Sequence, residues 1–210
     1  MIPKVIHRTV PKDTSARIES FWKSIRKLHP DWDLLTWREP LDPSDFPLTS
    51  GLWDRCESGA QKADIVRLEL LVTHGGIYVD ADVQGLRPFT SLLSSGAFAA
   101  WEDNTTIPNA VMGCEAGHPA FVEMLEVASG KLAAGAATWH IGPGTTTPVL
   151  KDRDDVLLLP PGSLYPYHYL EMRRKREQFR VTEPWAFCVH HWHGSWLSDD
   201  QRRSLEQRQR

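Results

Sequence analysis

AQKADIVRLELLVTHGGIYVDADV, residues 60–83, carries two periodicities in succession, and the switch between them sets the fold class. From Ala60 to His74 the apolar residues Ala63, Val66, Leu70 and Leu71 recur at helical spacing. Leu68 and Val72 widen that stripe to the width of a helix packed deep in a domain. Gly75 and Gly76 end it, because glycine tolerates the left-handed conformation that closes a helix. Ile77 to Val83 is then rich in β-branched and aromatic residues and reads as a buried strand. Five side chains are polar where such a helix–strand unit is ordinarily apolar: Asp64, Arg67, Tyr78, Asp80 and Asp82. Alternation along a strand puts Tyr78, Asp80 and Asp82 on one side, with the two carboxylates about 6.6 Å apart at Cα. Such a pair brackets one hard divalent cation.

Toward the N-terminus, Ile2 to His7 reads as a first strand introduced by Pro3, followed at its carboxyl end by Arg8 and Thr9, where open α/β sheets bind ligands. Residues 13–15 offer N-caps for a helix to about Leu28 with Ile18, Phe21, Trp22 and Ile25 on one face. Asp33 to Trp37 is a second strand, 39–50 a loop, and Leu52 to Cys56 a short helix. The resulting β-α-β-α-β order predicts an α/β fold, a mostly parallel sheet with helices on both faces and the DAD triplet on an interior strand.

Toward the C-terminus, strands are expected at 97–101, 109–114, 155–159 and 186–190, with a helix from Pro119 to about Ser129. WHIGPGTTTP, residues 139–148, reads as a turn-rich loop. The basic run RRKREQFR reads as an exposed helix or loop, and a polar helix is expected from about residue 198 to the end. No repeat or linker interrupts the 210 residues, so a single domain spanning 1–210 is expected.

Apolar content of 41% with 24% charged residues is that of an ordinary globular protein. A net charge of −3 gives no overall footprint for nucleic acid, so no specific nucleic-acid partner is expected. Cys56, Cys114 and Cys188 fit neither a CxxC metal pattern nor a paired disulfide framework. No run approaches the roughly 18 apolar residues that cross a bilayer. The first ten residues, MIPKVIHRTV, lack the plan of a secretory signal. These features together predict a cytoplasmic protein.

Carboxylate oxygens suit Mg²⁺ or Mn²⁺, and a bound diphosphate supplies further oxygens, so Asp80 and Asp82 point to metal-assisted handling of phosphate. A DxD triplet alone is a weak signal, often a solvated turn. Here it closes an apolar strand, where an uncompensated charge is costly. Asp64 and Arg67, three apart on a helix, form a plain intrahelical ion pair or else offer a fork to phosphate and an acceptor to a sugar hydroxyl. HHWHGSW, residues 190–196, holds three histidines in four positions, and a neutral imidazole from it completes a metal site begun by the aspartates.

The combination of IPKVIHRTVP, QKADIVRLELLVTHGGIYVDADV, GCEAGHP, GPGT and HHWHGSW resembles the DXD-containing sugar transferases of glycosyltransferase family 32. That family includes fungal initiating mannosyltransferases and bacterial polysaccharide transferases, with the glucosylating clostridial toxins more distant. The resemblance implies a GT-A fold, a nucleotide-sugar donor carrying UDP or GDP, Mn²⁺ or Mg²⁺, and transfer to a hydroxyl with retention of configuration. It implies that Asp64 and Arg67 hold the donor sugar and diphosphate, that Tyr78 lines the nucleotide site, and that Asp80 and Asp82 engage ribose and metal. His191, or else His190 or His193, is implied as a further metal ligand, with Ser195 and Trp196 near the diphosphate. Asn109 and Gly142 to Thr145 fall where relatives shape the donor or acceptor pocket. One departure stands out: relatives end the first strand I-H-x-x-W, with tryptophan on the base, whereas this chain has Val10. The grip on the base is then expected from Arg8, Thr9 or another aromatic, with His7 also expected among the residues that bind the donor. The acceptor is expected to be a glycan, a lipid-linked group or a protein, with the basic runs at 173–176 and 202–210 offering peripheral membrane contact.

Asp64 and Glu102 are the carboxylates available if retention proceeds by direct attack. Two rival readings remain. An apolar strand before DxD also opens phosphohydrolases of the haloacid dehalogenase type, although those place the triplet on their first strand and need later Lys and acidic clusters. Nine tryptophans also suit a metal-dependent carbohydrate-binding module.

Overall fold

The computed structural model describes residues 1–168 and 184–192. Its elements run β1 (Val5–Val10), α1 (Ala16–Leu28), β2 (Asp33–Arg38), α2 (Gly59–His74), β3 (Gly76–Val79), β4 (Val83–Gly85), β5 (Ala97–Ala100) and β6 (Val111–Cys114). Then come α3 (Pro119–Ala133), α4 (Thr138–Ile141), α5 (Pro143–Leu150), β7 (Leu157–Leu159) and β8 (Cys188–His190). Short 3₁₀ turns cover Pro43–Asp45, Ser50–Arg55 and Phe89–Ser95.

The Gly75–Gly76 pair is the pivot. Gly75 has φ 65° and Gly76 φ 94°, a region that side-chain-bearing residues rarely occupy. A Cβ on Gly75 would sit 2.7 Å from Ala116 N, and one on Gly76 2.6 Å from Val5 O, so packing excludes larger residues as well. This reversal lets β3 lie directly beside β1. The main sheet has the order β2-β1-β3-β6-β5-β7, in which only β6 runs against the others. The mostly parallel α/β sheet expected from the sequence is therefore present.

Alternation divides the core between the two sheet faces. Ile6, Ile77, Val79, Phe98 and Ala100 join Trp22 and Ile25 of α1 on one face. Tyr78, Ala97, Ala99, Met112 and Cys114 join Ile65, Leu68, Phe121 and Met124 of α2 and α3 on the other. Ser58 caps α2 by accepting from Gln61 N at 3.2 Å. Glu69, buried in that helix, is satisfied by Leu48 N, Thr49 N and Thr49 Oγ1 at 2.6–2.9 Å.

Three expectations need correction. The first strand runs to Val10, so His7 lies mid-strand rather than at its carboxyl end. The strand carrying the aspartates breaks after Val79, and Asp80 to Asp82 form a turn, so the DAD triplet leaves the interior strand instead of lying on it. The expected loop at 139–148 is largely helical, in α4 and α5. Pro148 deprives Gly144 O of its helical donor, and the Lys131 ammonium of α3 takes that carbonyl at 2.9 Å. The basic runs, His193, Ser195, Trp196 and the expected helix from about 198 lie outside the described residues.

Candidate active site

The site forms where β3 stops. Asp80 N donates to Ala110 O (2.8 Å) and Val83 N to Asp80 O (3.0 Å), which turns residues 80–82 out of the sheet before β4 starts. β4 pairs with β8 so that Val83 faces His190. His191 N donates to Asp82 O at 3.0 Å and continues that pairing past the strand. The ladder thereby carries a histidine from the far end of the chain to the aspartates. His190 Nε2 lies 3.1 Å from Asp82 Oδ1 and 3.9 Å from Asp80 Oδ2.

One ligand atom each from Asp80, Asp82 and His190 lie mutually within 4.8 Å, an oxygen-and-imidazole set that fits a divalent cation such as Mn²⁺ or Mg²⁺. Burial works against a charged His190 ring, but Asp82 and Asp80 together more than offset it and raise its pKa. Burial raises the Asp80 carboxyl, against the pull of Arg67 and His190. A cation among these groups answers the charge that burial penalises. His191, the other imidazole expected here, turns elsewhere: its Nε2 is 2.9 Å from Gln84 Oε1 and its ring stacks on Phe21 at 4.2 Å.

Arg67 organises the floor behind this cluster. Its Nη1 donates to Asn109 O (2.7 Å) and its Nε to Ala63 O (3.1 Å). Its Nη2 is 3.0 Å from Asp64 Oδ1 and its Nη1 3.2 Å from Asp80 Oδ1, while the guanidinium lies 4.7 Å from the Tyr78 ring centre. The helical pair read from the sequence exists, but it is buried and shared with a third carboxylate. Burial lifts the Asp64 carboxyl to about 6 despite Arg67 and an Asn109 Nδ2 donor at 2.8 Å. Arg67 is raised despite its burial, chiefly by Asp80 and Tyr78. Tyr78 joins strand to turn, since its hydroxyl donates to Asp80 Oδ1 (3.2 Å) and lies 2.6 Å from Thr9 Oγ1.

A cleft of about 590 Å³ opens over these groups and takes in Thr9, Asp64, Arg67, Asp80, Asp82, Asn109 and His190. Two residues expected to bind the donor lie outside the lining of the cleft. His7 is fully buried, takes a hydrogen bond from Trp37 Nε1 on Nδ1 (3.2 Å) and gives one from Nε2 to Gly75 O (3.0 Å). Burial drops its pKa to about 4. Arg8 points to the opposite sheet face, paired with Glu19 at 2.8 Å and 4.4 Å from the Trp22 ring centre.

The sequence reading passed over Trp37, Lys62, Trp139 and His168, which also line the cleft. Glu102 lines it too, with His168 Nε2 at 3.6 Å. Tyr165, behind His190 with ring centres 6.2 Å apart, was missed as well; its hydroxyl accepts from Val111 N at 3.0 Å. Trp37, Lys62, Trp139, Tyr165 and His168 break no apolar pattern, so the sequence carries no mark of them, whereas Glu102 is one of the two carboxylates named from the sequence.

Residues 15–99 match the family described as glycosyltransferase sugar-binding region containing DXD motif. Inositol phosphoceramide mannosyltransferase 3 of Schizosaccharomyces pombe is 32% identical over 132 residues, 59% of this chain and 36% of that protein. The chain thus spans about a third of the length of that relative. Among solved structures, galactosyltransferase LgtC in complex with donor and acceptor sugar analogues superposes with a TM-score of 0.54 at 11% identity, covering 96% of this chain and 94% of that one. The PaToxG glycosyltransferase gives 0.56 at 18% identity, over 71% and 69%. The fold is therefore the GT-A fold, and the resemblance to DXD-containing sugar transferases is borne out.

Proposed function

We infer, from the DXD region at residues 15–99 and the cluster it contributes to, that this chain is a glycosyltransferase drawing on a nucleoside-diphosphate sugar. The observation that carries the reading is the convergence of Asp80, Asp82 and His190 beside the buried Arg67. Simple phosphate binding does not call for so much buried, mutually balanced charge.

Asp80, Asp82 and His190 would hold a divalent cation. Bound there, the cation supplies Lewis-acid charge that offsets negative charge on a diphosphate as it departs. Arg67 stays protonated at any working pH and adds fixed positive charge on the same side, where no reorganisation is needed when the anomeric bond breaks. Asp64 is anionic above about pH 6 and accepts a donor-sugar hydroxyl, held in place by Arg67 and Asn109. Thr9 and Tyr78 join β1 to the aspartate turn and position the ribose end of the donor. Transfer with retention is the stereochemistry that the family resemblance favours.

The S. pombe relative is named for mannosyl transfer to inositol phosphoceramide. For this chain that supports a hexosyl donor and a hydroxyl on a lipid-linked or glycan acceptor. The phosphohydrolase reading is not favoured: the triplet follows the third strand, and the partners of Asp80 described above are Arg67, Tyr78 and His190, with no lysine among them. A thermal-shift and donor-hydrolysis screen of UDP- and GDP-sugars with Mn²⁺, Mg²⁺ or EDTA tests the proposal. Metal-dependent stabilisation by one nucleotide, with slow release of its sugar, is expected. Release of phosphate from a simple monoester, with no response to nucleotide sugars, contradicts it.

A further inference from the structure

Six large apolar side chains are exposed among the described residues: Met1, Leu35, Leu48, Trp139, Leu157 and Trp185. Of these only Trp139, 57% exposed, also lines the cleft. An indole left bare on the wall of a cleft forgoes apolar burial, which a ligand laid on it recovers.

We propose that Trp139 is the stacking platform for a six-membered polyhydroxylated ring of the acceptor, an inference that rests on the glycosyltransferase reading above. The axial C–H face of such a ring is apolar and weakly positive, matching the negative face of an indole, while its hydroxyls stay free for polar side chains that line the cleft, such as Lys62 and Glu102. The mount of the indole is rigid. A Cβ on Gly144 would lie 2.9 Å from both Trp139 Cζ3 and Trp139 O, so the ring rests against bare backbone. Lys131 Nζ reaches in from α3 and donates to His140 O (3.2 Å), Gly144 O (2.9 Å) and Thr145 Oγ1 (3.1 Å). Because Pro148 supplies no amide to Gly144 O, Lys131 fixes a carbonyl that the helix leaves unused. Lys131 is thus a positioning residue that acts through α4 and α5.

The platform also stands beside the donor grip. A Cβ on Gly142, three residues after Trp139, would lie 3.2 Å from Asn109 Nδ2 and 3.2 Å from Asp64 Oδ2. A ring on Trp139 therefore sits alongside the groups expected to hold the donor sugar. The indole belongs to the side of the cleft formed by α4 and α5, remote in sequence from the strand that carries Thr9.

The test uses the whole chain labelled with 5-fluorotryptophan, in Mg²⁺ with UDP or GDP. The fluorine signal of Trp139 is identified by its loss in Trp139→Phe. Methyl α-mannopyranoside, methyl β-galactopyranoside and myo-inositol are titrated separately, so that the arms separate a sugar ring from a cyclitol. A saturable shift of that signal with at least one probe is expected. In transfer to that probe, Trp139→Ala should raise the acceptor KM about tenfold or more, the range of one aromatic stacking contact. The donor KM in acceptor-free hydrolysis should stay within about twofold. Lys131→Met should raise the acceptor KM about threefold in the native protein and add nothing in Trp139→Ala. No probe moving the Trp139 signal, or an equal rise in donor KM, overturns the proposal. If the native protein hydrolyses no nucleotide sugar, the glycosyltransferase reading itself has failed, which is a separate result.

Discussion

The two sides of the cleft are built on opposite principles. On the side of α2 and β3, Asp64, Arg67, Asp80 and Asn109 are locked into one another by bonds of 2.7–3.2 Å and are largely withdrawn from water. On the side of α4 and α5, Trp139 stands open to solvent and the polar contacts lie behind it, on Lys131. The first side binds charge with charge and depends on every member. The second presents a flat apolar face and tolerates more change.

The contrast is sharpest at Arg67. Replacing it by methionine leaves the buried Asp64 and half-buried Asp80 carboxylates without their cation, and about 3–5 kcal/mol of stability should be lost, read as a lowered urea midpoint. Trp139→Ala should leave that midpoint within about 0.5 kcal/mol, as for an exposed residue. Similar losses in the two variants would break the comparison. Asp82→Ala should lower metal-dependent transfer about a thousandfold, matching the several kcal/mol a metal contributes, with the fold intact by circular dichroism.

His7 sharpens the comparison through pH. Its folded pKa, near 4, lies below the ordinary value of 6.5, so the unfolded chain takes up the extra proton between those two pH values. The stability contributed by the neutral ring is present above about pH 6.5 and is lost as pH falls toward 4, roughly 3–4 kcal/mol in all. The physical event is protonation of Nδ1, which ejects the Trp37 donor. Urea midpoints at pH 7.5 and 5 should differ more in the native protein than in His7→Phe, and an unchanged difference contradicts the assignment. Lys131→Met should cost about 1 kcal/mol, a modest loss because its three hydrogen bonds are only partly withdrawn from water, measured by thermal melting.

What was legible in the sequence follows the same division. Asp64, Arg67, Tyr78, Asp80 and Asp82 interrupt an apolar pattern, and a buried charge can persist there only with partners, so the pattern itself announced the site. The helix–glycine–strand switch at Gly75 likewise announced the sheet. The break after Val79 was not legible, because Ile77 to Val83 is uniformly strand-like and the turn is imposed by Ala110 and by the pairing of β4 with β8. The choice of His190 over His191 was hidden for the same reason: register across two distant segments decides which imidazole faces Asp82. Residues 139–148 look like a loop because glycine, proline and threonine are poor helix formers, and Lys131 from another helix reverses that preference. Trp139 sat inside that misread loop and disturbed no pattern, so nothing set it apart.

In the proposed function Asp80, Asp82 and His190, and not His191, form the cation site for a nucleoside diphosphate. Calorimetric titration of Mn²⁺ with UDP and with GDP into the native protein, His190→Ala and His191→Ala tests it directly. Mn²⁺-dependent nucleotide binding should survive in His191→Ala and be lost in His190→Ala. Binding to His190→Ala with native affinity would contradict it.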